Sequence, residues 1–273
     1  MFKTPSKILF KTPYAFHLIL SILLLSFFLM GSASALDVES DEEATETSSA
    51  ENIEAPVPLP EGTTFAPGQG PTPYIEGRHF FRVSEKAQKN PLVQDFQHRD
   101  PGKIQVIEFS NYGCYGCSQL HPLMRVWKKS KPSNIAFYEY PVLVHREWKP
   151  LAQAFFTVRA LGLPPEQETQ FDADFFQTIH GNRINLLQKK LLIDFFKAHG
   201  VDESQFNALF DSKAIQDQVR QANELSLAYQ VAISPALIIT GPNGGFMTSP
   251  AYVQNFDQFM ELLSYLIQRQ SPT

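Results

Sequence analysis

The chain has 273 residues, 43% of them hydrophobic, a formal net charge of −5 and only two cysteines; that composition supports one large domain or two small ones and excludes global disorder. All 28 acidic residues lie beyond Ala35, whereas three of the 23 Lys and Arg precede it, so the chain without its first 35 residues carries a charge of about −8. Nine acids and no base fall between Leu36 and Gly62 and the remainder is nearly neutral, which leaves no basic stripe for nucleic acid and no cationic face for anionic lipid.

In chain order, Lys3, Lys7 and Lys11 precede an apolar run over 15–30, interrupted by His17, Ser21 and Ser26, and Ala33-Ser34-Ala35 follow it. This is the pattern of a secretory signal peptide cleaved after residue 35. The run falls short of the roughly 20 apolar residues that span a bilayer, and an uncleaved membrane anchor is the alternative. Residues 36–73 combine acids, Ser and Thr with Pro56, Pro58, Pro60, Pro67, Pro71 and Pro73. Such a composition predicts a disordered leader, with a tether or dimerisation arm as the functional alternative.

A folded region is predicted from residue 74. It opens with a short strand over 79–83 and a polar, irregular stretch closed by Asp100-Pro101-Gly102. Residues 104–109 are almost continuously apolar, as in a central strand covered on both faces, yet Glu108 falls on the same side as Ile104 and Val106. Beyond the cysteines, Leu120, Leu123, Met124 and Trp127 recur at helical spacing, Lys128, Lys129 and Lys131 suit the negative end of the dipole, and Pro132 stops the helix. A second strand is predicted over 135–144. Helical stripes follow at Leu151, Phe155, Val158 and Leu161, at Leu187 and Leu191, and at Ile215, Val219 and Ala222. Extended structure returns over 236–240, and Gly241-Pro242-Asn243-Gly244-Gly245 reads as a hairpin turn rather than a phosphate loop, since no Lys and helix follow. Tyr252, Phe256, Phe259, Leu263 and Leu266 mark one face of a closing helix.

The two cysteines form Cys114-Tyr115-Gly116-Cys117 at a strand-to-helix junction, where a CxxC pair reads as a redox motif. A purely structural bridge here would close a tiny loop and remove little unfolded-state entropy. Cys114, Cys117 and His121 would hold a metal with no fourth donor in sight, so no metal or cofactor is assigned and His121 is read as a surface helix residue. The first residue of such a helix is expected to be exposed and to face the unpaired amide hydrogens, which favour a thiolate and make the disulfide a better oxidant. Cys114 is therefore the predicted nucleophile, and Cys117, inside the turn, the residue that resolves a mixed disulfide.

Val106-Ile107-Glu108-Phe109 leading into Cys114-x-x-Cys117 and Pro122 resembles the DsbA family, as do Tyr140-Pro141-Val142, Trp148, Leu151-Ala152, Leu161-Gly162 and Ser234-Pro235. The resemblance implies an α/β, thioredoxin-like fold over 74–148 and 230–273, with a helical domain, 149–229, inserted between its βαβ and ββα halves. It implies a cis-proline at Pro235 opposite the disulfide, a substrate strand held beside Ser234 and Pro235, and Glu108 as a buried acid relaying protons to Cys117. By the same likeness the activity is oxidation of reduced, unfolded secreted proteins in the periplasm, with a membrane quinone-linked DsbB-like partner as reoxidant. Tyr115-Gly116 departs from the Pro-His dipeptide of strongly oxidising members, and without a cation there a weaker oxidant is expected. A disulfide isomerase or reductase, with homodimerisation, remains the close alternative; a peptide-binding chaperone or a metal carrier is the alternative of another class.

Overall fold

The computed structural model describes residues 74–270, so the signal-peptide and leader assignments lie outside the described residues. Among the described residues no helix is long and apolar enough to cross a membrane.

Strand β1, Phe80–Arg82, leads into two short helices, α1 at Glu85–Gln88 and α2 at Pro91–Gln97. The stretch expected to be irregular is thus helical. Ser84 and Asn90 cap these helices by accepting from the amides of Ala87 and Leu92, Pro91 starts α2, and the apolar face of Ala87, Val93 and Phe96 is buried. Strand β2, Ile104–Ser110, is buried along its whole length. Helix α3, Tyr115–Ser130, and strand β3, Ile135–Pro141, complete a β-α-β unit in which β2 and β3 pair in parallel. After a 3-10 turn at Arg146–Trp148 come α4 (Lys149–Ala160), α5 (Pro165–Phe176), a π-turn at Gln177–Gly181, α6 (Lys189–Ala198), α7 (Glu203–Phe210) and α8 (Lys213–Ala228). The chain then returns to the sheet as β4 (Ala236–Gly241) and β5 (Gly244–Thr248), joined by a tight hairpin with Gly244 at φ +95°, and closes with α9, Phe256–Gln268.

The sheet order is β1-β5-β4-β2-β3, with β2 antiparallel to β4. On one face, Leu120 and Met124 of α3 and Phe259, Leu262, Leu263 and Leu266 of α9 cover Ile104, Val106, Leu237 and Ile239. On the other, Val93 and Phe96 of α2 and Leu225 of α8 cover Ile107, Phe109 and Ile238. The inserted helices bury a separate cluster rich in phenylalanine, including Phe155, Phe175, Phe196 and Phe206, and this cluster also takes in Tyr112 and both cysteines. Each fully buried ring contributes roughly 1.5–3 kcal/mol of burial. Leu187 and Leu191 are only partly buried; Leu186, Leu192, Phe195 and Phe196 carry that part of the core, because α6 begins later than the leucine spacing suggests. The whole is a thioredoxin-like α/β fold with an inserted helical domain.

Candidate active site

The loop after β2 is shaped by Asn111. Its Oδ1 accepts from the amide of Gly113 at 3.1 Å, its Nδ2 donates to the Val142 carbonyl at 3.1 Å, and its own carbonyl accepts from the Cys114 amide at 3.0 Å. A Cβ at Gly113 would stand 2.7 Å from Nε1 of Trp148, so that close approach requires glycine. Cys114 becomes the N-cap of α3, and its Sγ accepts from the amide of Cys117 at 3.1 Å. The two cysteines are disulfide-bonded with Cα atoms 5.2 Å apart. Cys114 retains 5% of its surface and Cys117 none. The expected order of exposure holds, but Cys114 is far less open than its helix-start position suggests, because the insertion packs over it.

Opposite the pair, the Ser234–Pro235 peptide bond is cis. The Ser234 hydroxyl donates to Sγ of Cys117 at 3.1 Å, the disulfide sulfur having no hydrogen of its own. The Ser249 hydroxyl donates to the Pro235 carbonyl at 2.7 Å and fixes the turn from behind. A Cβ at Gly116 would stand 3.1 Å from Cδ of Pro235, so this small residue sets how near the proline loop comes to the helix. Tyr115 points the other way, 66% exposed and edge-on to His180.

Glu108 lies on β2, the strand that leads to the cysteines, and is 3% exposed. The parallel register sets it beside Glu139 on β3. Burial, followed by the neighbouring Glu139 charge, pushes the Glu108 carboxyl from an ordinary 4.5 up to about 8. Burial also penalises a charged Glu139, yet the Lys128 and Arg159 charges hold it below the usual carboxylate range, and Lys128 Nζ lies 3.2 Å from its Oε2. Glu139 is thus the ionised member of the pair, and Glu108 keeps its proton at neutral pH. His121 is buried, with Nε2 unpartnered, and burial lowers its pKa so that the ring is neutral. The surface reading of His121 is corrected: spacings of three and four put it on the face of Cys117, Leu120 and Met124.

A raised carboxyl gives stability a signed pH dependence. Between about pH 4.5 and 8 the folded state holds a Glu108 proton that the unfolded chain has released, so stability falls as pH rises through that window and levels off above it. Glu108→Gln is expected to flatten this slope and raise stability at pH 9 by roughly 2–4 kcal/mol. Urea unfolding of the oxidised protein at successive pH values reads it; identical profiles for both proteins would refute a buried, protonated Glu108.

Sequence reasoning missed several residues that the fold brings to the site. Arg159 of α4 forms a two-pronged pair with Asp172 of α5 at 2.5 and 2.7 Å, donates to the Tyr112 hydroxyl at 3.2 Å and reaches Glu139 at 3.7 Å. The Tyr112 hydroxyl donates to Asp172 and its ring stacks on Phe175 at 4.2 Å. Nε2 of His180 donates to the Tyr112 carbonyl at 2.8 Å. Only Glu139 had a readable signal, because it continues the Ile135 and Phe137 face of β3 just as Glu108 continues that of β2. The others converge from separate helices.

Held this way, the sulfurs suit one kind of chemistry. The disulfide stands at the start of α3, where helix amides have no partner within the helix, and across from it lies a cis-proline that cannot donate a backbone bond. That defines a thiol–disulfide oxidoreductase on a thioredoxin-like scaffold. No protein-family model matches the chain. Among curated proteins, the thiol:disulfide interchange protein DsbA of Bordetella parapertussis is 34% identical over 155 residues, covering 57% of this chain and 70% of that protein. DsbA of Pseudomonas aeruginosa strain PAO1 is 29% identical over 197 residues, 72% of this chain and 86% of the relative. The crystal structure of Pseudomonas aeruginosa DsbA superposes with a TM-score of 0.60 at 26% identity, over 72% of this chain and 94% of that one. The chain belongs to the DsbA family of thiol:disulfide interchange proteins.

Proposed function

We propose that this protein is exported by residues 1–35 and oxidises reduced, unfolded secreted proteins in the periplasm. The observation that carries the reading is the disulfide at the start of α3, with the Cys114 sulfur accepting a helix amide. A substrate thiolate attacks Sγ of Cys114, the Cys114–Cys117 bond breaks, and Cys117 leaves as a thiolate that takes a proton from Glu108. A second substrate thiolate then attacks the substrate sulfur of the mixed disulfide and releases Cys114 as a thiolate. The substrate gains a disulfide, the protein becomes a dithiol, and two electrons have moved. DsbA proteins are themselves the standard example of a thiolate stabilised at such a position. The substrate strand lies beside Ser234 and Pro235, and Tyr115 and Gly116 border it.

A DsbB-like quinone-linked membrane protein is the reoxidant in this reading. The proposed domain limits are 74–148, 149–229 and 230–273, and residues 36–73 serve as a leader that spaces the domain or pairs two copies. Tyr115-Gly116 places no cation between the sulfurs, so the Cys114 thiolate is stabilised by the helix start alone. The reduction potential, measured against glutathione, is expected to be more negative than that of Pro-His members by tens of millivolts, roughly tenfold in equilibrium constant per 30 mV. A value as oxidising as theirs overturns this point. Direction is tested in cells that export the protein: an oxidase is recovered with Cys114 and Cys117 bonded, an isomerase with both reduced.

A further inference from the structure

Beside the active-site helix a cleft of about 340 Å³ opens between the first turns of α3 and the π-turn that ends α5. Four rings run along it in series. Tyr115, exposed next to Cys114, stands edge-on to His180 at 5.8 Å; His180 lies over Phe176 at 6.2 Å; Phe176 meets His121 at 5.1 Å. No Asp, Glu, Lys or Arg among the described residues lines the cleft, and His121, whose buried Nε2 has no partner, is one of the lining residues; native structures rarely leave such an atom without a reason. A π-turn inside a helix is itself a feature that gathers at functional sites. The turn is not loose here, since His180 is tied to the Tyr112 carbonyl two residues before Cys114.

The CxxC dipeptide divides its attention. Gly116 lies against Pro235, where a substrate backbone passes, whereas Tyr115 turns to the helical domain. We propose that the cleft is a second substrate subsite that takes the aromatic side chain of a residue adjoining the substrate cysteine, stacking it on the Tyr115, His180 and Phe176 rings while that cysteine meets Cys114. The subsite rests on the exchange reading of the Cys114–Cys117 site. Ring-on-ring contact in an uncharged, half-enclosed cleft favours Tyr, Phe or Trp over aliphatic, small or charged side chains.

The test uses reduced dithiol peptides that differ only in the residue adjoining the cysteine, aromatic or alanine, and compares their oxidation rates with that of dithiothreitol. The wild-type protein is expected to oxidise aromatic peptides about tenfold faster than alanine ones. Ala173, on the α5 wall of the cleft, is replaced by Trp to fill it and, as a milder variant, by Leu. Filling is expected to abolish the tenfold preference, more fully for Trp, while the dithiothreitol rate and the reduction potential stay at wild-type values. Equal rates for aromatic and alanine peptides on the wild-type protein overturn the subsite, as does a preference that survives in both folded variants. A disulfide inert to dithiothreitol overturns instead the exchange reading on which the subsite rests.

Discussion

Cys117→Ser is expected to turn this protein into a covalent trap, and Cys114→Ser to leave it inert. In the first variant Cys114 still sits at the start of α3 beneath unpaired amides and still exchanges with an oxidised partner, but no second sulfur remains to release what it has captured. In the second the surviving sulfur, Cys117, has no surface exposed to solvent and lies within the first turn of the helix. Disulfide transfer should fall to the uncatalysed background in both, a loss of at least about a thousandfold. Mixed disulfides should accumulate only with Cys117→Ser, visible on non-reducing gels of exporting cells. Equal trapping by both variants would reverse the assigned roles. Binding to partners that persists unchanged in Cys114→Ser, with no covalent species anywhere, would favour a chaperone or carrier over an oxidoreductase.

The largest stability effect is expected at Arg159, well outside the cysteine motif. Its guanidinium is partly buried among the buried Asp172 carboxylate, the Tyr112 hydroxyl, Glu168 and Glu139, with its flat face over the Phe155 ring at 3.7 Å. Removing one partner of such a network leaves uncompensated charge in the interior, which costs about 3–5 kcal/mol. Arg159→Ala should therefore lower the melting temperature by on the order of 10 °C. Arg159→Lys keeps the charge but loses the two-pronged geometry and should fall between the two. Arg159→Met combined with Asp172→Leu removes both ions together and should recover much of the loss. Thermal and urea unfolding of the four proteins decides it; an Arg159→Ala protein as stable as wild type would show that the network contributes nothing net.

Much of the scaffold was legible because it rests on local rules. The apolar β2 run, the hairpin glycines and the α9 stripe each identify themselves within a dozen residues. The polar segment after β1 did not, since its two helices are short and depend on the Ser84 and Asn90 caps and on burial of Val93 and Phe96 against the sheet. His121 reads as exposed because a polar residue on a helix normally is, but it shares the buried face of α3 with Cys117, Leu120 and Met124 and packs against Phe176 of the helical domain.

The chemistry of the two sulfurs was determined by sequence alone, because the spacing of Cys114 and Cys117 at a strand-to-helix junction is a short-range property that survives any arrangement of the rest. The lone acid in a central strand was equally visible. What only tertiary structure decided is the field around them. The β2–β3 register sets Glu108 against Glu139, α3 brings Lys128 and His121 to the same face, and α4 and α5 deliver Arg159 and Asp172 from the insertion. Which of two adjacent carboxyls holds the proton depends on Coulomb interactions and desolvation among groups far apart in the chain, and no local pattern encodes those distances.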